Sequence, residues 1–316
     1  QVRMGSSRYP GKAMYEMADK PLLGHLVSRL RRSKLLNDII VATSINPEND
    51  VIESYCKENL IACFRGDEDD VLARTLGALH KMDASIGVEV FGDCPLIDPI
   101  IVDMIIEEFL NDENDPDFVG NDLKTTFPPG MDVEVFKVSA LEDSSCRIID
   151  KAIREHGTLY IRQNPQIYKV NNIEAPQKWY RPELELEVDT EEDVYVVSKI
   201  FEHFHALNNE NFGIDDIIEF MDSNPDLIKM NSEVPRRWKE VRGEKIYKSF
   251  IIGCGRIAGY SNDGFVNDFA HGYAYRENPD IELVGCMDIN PEKRQLFSKN
   301  FNCIAFDDFQ DGIIKT

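Results

Sequence analysis

Short β-branched runs alternate with amphipathic helical patterns from Pro21 onward, and this alternation confines the chain to an α/β fold. Leu22, Leu23, Leu26, Val27 and Leu30 recur at helical spacing between Pro21 and Arg32, with basic residues at the C-terminal end, where they suit the helix dipole. Ile39-Ile40-Val41 then reads as a buried strand. Asn46-Pro47 supplies the N-cap and first position of the next helix, a short strand lies near 61–64, and Asp67-Glu68-Asp69-Asp70 loads the start of a further helix with acid. Val88-Glu89-Val90-Phe91 reads as a strand running into Gly92-Asp93-Cys94-Pro95, followed by an amphipathic helix from about Pro99 to Leu110. The predicted architecture is a doubly wound, mostly parallel sheet, whose ligands gather at the carboxyl ends of the strands, where Thr43 and Asp93 fall. Two later segments are also strand-like: 131–136, and 184–188, in which Leu184, Leu186 and Val188 alternate ahead of a second acid, Asp189.

Before the first helix, Arg3-Met4-Gly5-Ser6-Ser7-Arg8-Tyr9-Pro10-Gly11-Lys12 sets three cations and two glycines in a stretch without a carboxylate. The chain as a whole carries 35 basic against 57 acidic residues, a net charge of −22, so this local cluster must do what the global field opposes. Glycine lets backbone N–H groups approach phosphate, the serines add donors, and Arg3, Arg8 and Lys12 add charge-assisted ones; the alternative is a solvated basic turn. A Walker A loop is excluded, because five residues separate Gly5 from Gly11 and Ala13 stands where a magnesium-binding hydroxyl belongs. The acidic charge also argues against nucleic acid and against an anionic membrane surface.

Seven cysteines without a C-x-x-C pair suggest neither a zinc site nor a disulfide framework. No apolar run approaches the roughly 18 residues of a membrane span, and no signal peptide opens the sequence, so a cytoplasmic location is expected. A loop of this kind normally follows a buried strand; a first strand ahead of Gln1 is therefore expected to be missing, and the far end to be cut as well.

Asp93 and Asp189 each end a predicted strand, so their carboxylates can meet at one point of the sheet and offer hard oxygen donors to Mg²⁺. A metal there would neutralise charge on a departing pyrophosphate. Each aspartate is equally well placed to be a helix N-cap.

Taken together, residues 1–12, Val41-Ala42-Thr43, Phe64-Arg65-Gly66 leading to Arg74, and Gly92-Asp93-Cys94-Pro95-Leu96-Ile97-Asp98 resemble the spore-coat polysaccharide type of cytidylyltransferase, a relative of the enzymes that make CMP-3-deoxy-manno-octulosonate and CMP-sialic acid. The likeness continues through Gly130 to Phe136, Arg154-Glu155-His156, Tyr160-Ile161-Arg162 and Glu187 to Asp193, in order over roughly 1–230. The resemblance implies a nucleotidyltransferase fold of the glycosyltransferase-A-like, Rossmann-like kind and transfer of CMP from CTP to an acidic sugar, a 3-deoxy-ulosonic or nonulosonic acid, in cell-surface polysaccharide synthesis. It implies that Arg3, Lys12, Asp93 and Asp189 are catalytic. Met4, Gly5, Ser6, Ser7 and Arg8 would join Arg3 and Lys12 around the triphosphate, and Ala42, Thr43 and Arg74 would lie near the nucleoside. Asp93 and Asp189 would hold Mg²⁺, and Arg154, His156 and Arg162 are candidates for the sugar carboxylate. A homodimer is the family tendency.

A charged stretch at 235–247 reads as a linker between a first domain, 1–234, and a second unit, 248–316. In the second unit Ser249-Phe250-Ile251-Ile252 leads into the G-x-G-x-x-A turn Gly253-Cys254-Gly255-Arg256-Ile257-Ala258, and a later strand ends at Asp288. Strand, glycine turn and terminal acid are the elements of a dinucleotide site. With His271 and Asn290-Pro291-Glu292 they resemble the start of the glucose-fructose oxidoreductase and inositol dehydrogenase family. That resemblance implies a partial Rossmann unit in which Gly253, Gly255, Arg256, Ile257 and Asp288 bind NAD(P), and a bifunctional parent enzyme. Two other readings stand beside these: a metal-dependent glycosyltransferase, which would want Asp-x-Asp where Gly92-Asp93-Cys94-Pro95 stands, and a non-catalytic module that senses CTP or NAD.

Overall fold

The computed structural model describes residues 1–5, 8–232, 234, 247–252, 254, 281–301 and 303–307. They fall in two compact units, Gln1–Val234 and Pro235–Thr316.

In the first unit a small antiparallel pair, β1 (Glu16–Met17) and β2 (Lys20–Pro21), precedes helix α1 (Leu22–Leu30). β3 (Ile40–Ser44) and β4 (Ala62–Gly66) pair in parallel, joined by α2 (Asp50–Glu58), and α3 (Val71–Lys81) follows. Asp70 caps α3 by accepting from the Ala73 N–H at 2.9 Å, which gives part of the acid run its local purpose. The second sheet orders its strands β5 (Ile86–Glu89), β7 (Glu134–Lys137), β6 (Phe118–Gly120), β8 (Val170–Asn172). Helix α4 (Pro99–Asn111), capped by Asp98, links β5 to β6.

Two features depart from a mostly parallel sheet. β7 runs antiparallel to both β5 and β6. The described chain between β6 and β7 contains no helix, and without such a crossover the strand returns in the opposite sense. The alternating segment 184–188 joins no ladder. It is buried, and its recorded backbone bonds go to loops: the N–H of Leu186 donates to Pro129 O at 2.9 Å and that of Val188 to Asp93 O at 2.9 Å.

The largest core packs Leu184, Leu186 and Val188 against α1, α4 and α8 (Glu191–Ala206), whose buried face includes Val194, Val197, Ile200 and Phe204. α5 (Val138–Arg147), α6 (Lys151–Arg154) and α7 (Leu159–Gln163) lie between β7 and β8, and Leu141 and Ile161 join a second core with Phe118 and Phe136. α9 (Ile214–Asp222) and α10 (Pro225–Ser232) close the unit.

The second unit is a parallel sheet ordered β11 (Ile304–Phe306), β10 (Ile281–Met287), β9 (Tyr247–Ile252), with α11 (Pro291–Phe301) between β10 and β11. Tyr247, read as the last linker residue, begins β9. Asn290 Oδ1 accepts the N–H groups of Glu292 and Lys293 and so starts α11. The remainder of the linker, 235–246, and the turn residues Gly253, Gly255, Arg256 and Ile257 lie outside the described residues. No helix among the described residues is long and apolar enough to cross a membrane.

Candidate active site

Three separate stretches of chain bring a lysine and three carboxylates to one point. Lys12 opens a single turn of 3₁₀ helix, Lys12–Met14, at the end of the basic loop. The loop is tied back on itself where the Gly11 N–H donates to Met4 O at 2.9 Å, and to β3 where the Val2 N–H donates to Ala42 O at 3.0 Å. Asn49, fully buried, accepts the Met4 N–H at 2.8 Å and donates to Ser44 Oγ at 3.3 Å, fastening the loop to the carboxyl end of β3.

Asp93 leaves the turn after β5. Gly92 admits the neighbouring chain there: a Cβ at this position would lie 2.5 Å from Gln1 O. Asp189 follows the buried segment 184–188, directly before Thr190. Thr190 and Asp193 form the capping box of α8, so Asp189 is free of that task. Asp98 likewise caps α4, so Asp93 is not the cap either. Gly130, at φ +100°, sets the depth of that segment; a side chain would place its Cβ within 2.9 Å of the Leu186 and Glu187 backbone.

Lys12 Nζ donates to Asp93 Oδ2 at 3.0 Å, to Asp189 Oδ1 at 3.1 Å and to Val188 O at 2.6 Å. Arg8 adds an ion pair with Asp189 Oδ2 at 3.1 Å. One carboxylate oxygen from each of Asp93, Glu187 and Asp189 lies within 4.8 Å of the other two. Burial opposes the charge on Lys12, yet Asp93 and Asp189 together outweigh it and hold the ammonium above the usual lysine range. Burial pushes Asp93 upward too, but attraction to Lys12 and the hydrogen bond from it keep the carboxyl below its ordinary range. The result is a charged, cation-holding acidic centre at the ends of the strands.

The other candidate residues distribute unevenly around this centre. Arg3 is held by Glu68, to Oε1 at 2.9 Å and to the carbonyl at 3.2 Å, oxygen acceptors for which a phosphate could substitute. Ala42 and Thr43 are buried on β3. Arg74, almost wholly buried, donates to Gln1 Oε1 at 2.8 Å and to Glu68 O at 2.9 Å, so it shapes the loop before α3. Ser6 and Ser7 lie outside the described residues.

The guanidinium groups read as candidates for a sugar carboxylate are engaged within the fold. Arg154 pairs with Asp70 at 2.7 Å and donates to Ser145 O and Ile148 O, each at 3.1 Å. Arg162 pairs with Asp122 at 3.0 Å and Glu134 at 2.8 Å. His156 is exposed in the turn between α6 and α7.

Asn49, Glu187 and the pairing of Arg162 with Asp122 and Glu134 did not stand out in the sequence. For Glu187 a signal existed: the apolar alternation of 184, 186 and 188 places 187 and 189 on the same opposite face. In the second unit, Asp288 Oδ2 accepts the Cys254 N–H at 2.7 Å and Oδ1 that of Asn290 at 2.7 Å, which puts the terminal acid of β10 beside Cys254, two positions past β9.

The model of the family described as Cytidylyltransferase matches residues 1–228, a span that contains every residue of the Lys12 centre. The chain belongs to the cytidylyltransferase family. The spore coat polysaccharide biosynthesis protein SpsF of Bacillus subtilis is 31% identical over 231 residues, 72% of this chain and 93% of that protein. A 3-deoxy-manno-octulosonate cytidylyltransferase of Trichlorobacter lovleyi is 37% identical over 109 residues, 34% of this chain and 42% of that enzyme. A solved cytidylyltransferase structure from Leptospira borgpetersenii superposes with a TM-score of 0.68 at 32% identity, covering 74% of this chain and 96% of that one. The cytidylyltransferase unit and its α/β fold are thus one and the same region, the first unit.

Proposed function

We propose that the first unit transfers CMP from CTP to a hydroxyl of an acidic sugar, a 3-deoxy-ulosonic or nonulosonic acid, releasing pyrophosphate for cell-surface polysaccharide synthesis. The observation that carries this reading is the contact of Lys12 with both Asp93 and Asp189, at 3.0 and 3.1 Å, inside the family span. The names of the Bacillus and Trichlorobacter relatives supply the substrate class.

In this mechanism the sugar oxygen forms a bond to the α-phosphorus as the bond from that phosphorus to the bridging oxygen breaks, and the hydroxyl proton is lost to solvent or to a nearby carboxylate. No covalent enzyme intermediate is required, so the residues act by alignment and charge. Lys12, Arg3 and Arg8 hold phosphate oxygens, and the Gly5 and Gly11 region brings backbone donors to them. The Asp93, Glu187 and Asp189 oxygens form a hard, anionic donor set that fits Mg²⁺, with Asp93 and Asp189 as its principal ligands. Bound there, Mg²⁺ would neutralise the developing charge on the leaving pyrophosphate.

For the second unit we infer dinucleotide binding, with NAD(P) as ligand, Gly253, Gly255, Arg256 and Ile257 at the pyrophosphate and Asp288 at a ribose. The support is the parallel order β11-β10-β9 and the placement of Asp288 beside Cys254. A dehydrogenase parent follows from the resemblance.

The experiment is pyrophosphate release from CTP, UTP and ATP with a panel of ulosonic acids, with and without Mg²⁺. Turnover confined to CTP and a sugar acid is the expected result. Binding of CTP without turnover of any sugar would move the assignment to the sensing module.

A further inference from the structure

Lys12 stands at the point where a cation held by Asp93 and Asp189 would sit. Its side chain is 11% exposed, and Nζ touches one oxygen of each carboxylate and the carbonyl between them in sequence, Val188 O. A divalent cation and this ammonium cannot share one position, since like charges in a site screened from water repel strongly. Removing Lys12 alone would leave Asp93, Glu187 and Asp189 with Arg8, 3.1 Å from Asp189, as their remaining cation, which leaves the cluster short of positive charge. Each cation excludes the other, and the site needs one of them.

The lysine has another anionic partner within its repertoire. Its stem has four methylene groups and free rotation, so the ammonium can change partners while the 3₁₀ turn stays tied to Met4, Asn49 and β3. The triphosphate of a nucleotide carries enough charge to draw it off the carboxylates.

We propose that Lys12 is a resident surrogate for the metal: it fills the Asp93–Asp189 point until a triphosphate attracts it away, and the three-carboxylate site so vacated, with Glu187 as its third donor, then takes Mg²⁺. Metal and nucleotide therefore load as a coupled pair. By linkage the coupling is reciprocal: the nucleotide strengthens metal binding by the same factor as the metal strengthens nucleotide binding. Glu187 sets the size of the effect, because a third carboxylate makes the vacated site suit a dication and sets three carboxylates against the two cations Lys12 and Arg8. The inference rests on the cytidylyltransferase reading of this site.

The test measures free Mn²⁺ by electron paramagnetic resonance in the full chain, with and without a CTP analogue carrying a methylene bridge between the α- and β-phosphates. Wild type is expected to bind Mn²⁺ at least about tenfold more tightly with the analogue than without it. Lys12→Gln should bind Mn²⁺ without the analogue about tenfold more tightly than wild type does, and so lose most of the coupling. Glu187→Gln should weaken Mn²⁺ roughly tenfold in the presence of the analogue. Equal Mn²⁺ affinity in wild type with and without bound analogue overturns the proposal, and this comparison needs no variant to fold. Failure of the analogue to bind under any condition overturns the cytidylyltransferase reading along with it, whereas binding without coupling overturns only the role given to Lys12.

Discussion

The first unit contains two acid-rich clusters, one around Lys12 and Arg8 and one around Arg162, and they meet their surplus negative charge in opposite ways. At the strand ends, Lys12 faces Asp93, Glu187 and Asp189 and holds the Asp93 carboxyl below its ordinary range. Deeper in the sheet, Arg162 bridges Asp122 and Glu134, while Glu89 lies directly across the β5–β7 ladder from Glu134. There burial dominates. It pushes Glu134 up to about 8, against the pull of Arg162 and with help from Asp122 and Glu89, and it pushes Glu89 upward as well. In the loop cluster a cation favours the charged form of Asp93; in the strand cluster burial favours a proton on Glu134. The first arrangement suits exchange of partners, the second suits holding α7 against the sheet through Arg162 and the Thr158–Glu134 hydrogen bond of 2.6 Å.

The largest expected effect separates these roles. Arg162→Met leaves Asp122 and Glu134 buried without their cation and should destabilise the first unit by about 3 to 5 kcal/mol, read from urea unfolding. An unchanged midpoint would show that the strand cluster does not depend on its arginine. Asp189→Asn should do the reverse: a modest change in unfolding but a fall of roughly 10² to 10³ in kcat for pyrophosphate release, because it removes charge from the site of transfer. Comparable kcat for variant and wild type would move the active centre elsewhere.

The smallest effect is a slope. Glu134 keeps its proton in the folded chain up to about 8, against an ordinary 4.5, so folding retains a proton between those values. Its contribution to stability is fully present below 4.5 and is lost as pH rises through about 8. Asp93 has the opposite sign: its contribution is present above 3.8 and lost as pH falls through its lower folded value. Urea midpoints from about pH 5 to pH 8 should therefore decline in wild type relative to Glu134→Gln, which lacks the titrating group. Parallel curves for the two proteins would mean that Glu134 ionises normally.

Much of the local structure can be read from residues that act locally. The helical spacing of Leu22 to Leu30 and the Asp98-Pro99 start of α4 mark their elements within a residue or two, because periodicity and capping are short-range. The direction of β7 is not short-range: nothing in Glu134-Val135-Phe136 distinguishes a parallel from an antiparallel neighbour. The segment 184–188 shows the limit most clearly. Its alternation reports two faces, one apolar and one acidic, and does not report whether a neighbouring strand exists to pair with it. Asp93 and Asp189 were readable as acids at ends of elements; that Arg154 and Arg162 spend their charge inside the fold was not, since Asp70, Asp122 and Glu134 meet them only through tertiary contacts.

The bond between Lys12 and Asp189 spans 177 positions of the chain, and that separation dates the site. A ribosome adds about 5 to 20 residues per second, so the lysine emerges roughly 10 to 35 seconds before its second aspartate exists. Throughout that interval a nascent chain cannot assemble the pairing that closes the centre. A ligand that depends on this pairing can therefore stabilise only a nearly finished first unit, one whose synthesis has passed Asp189.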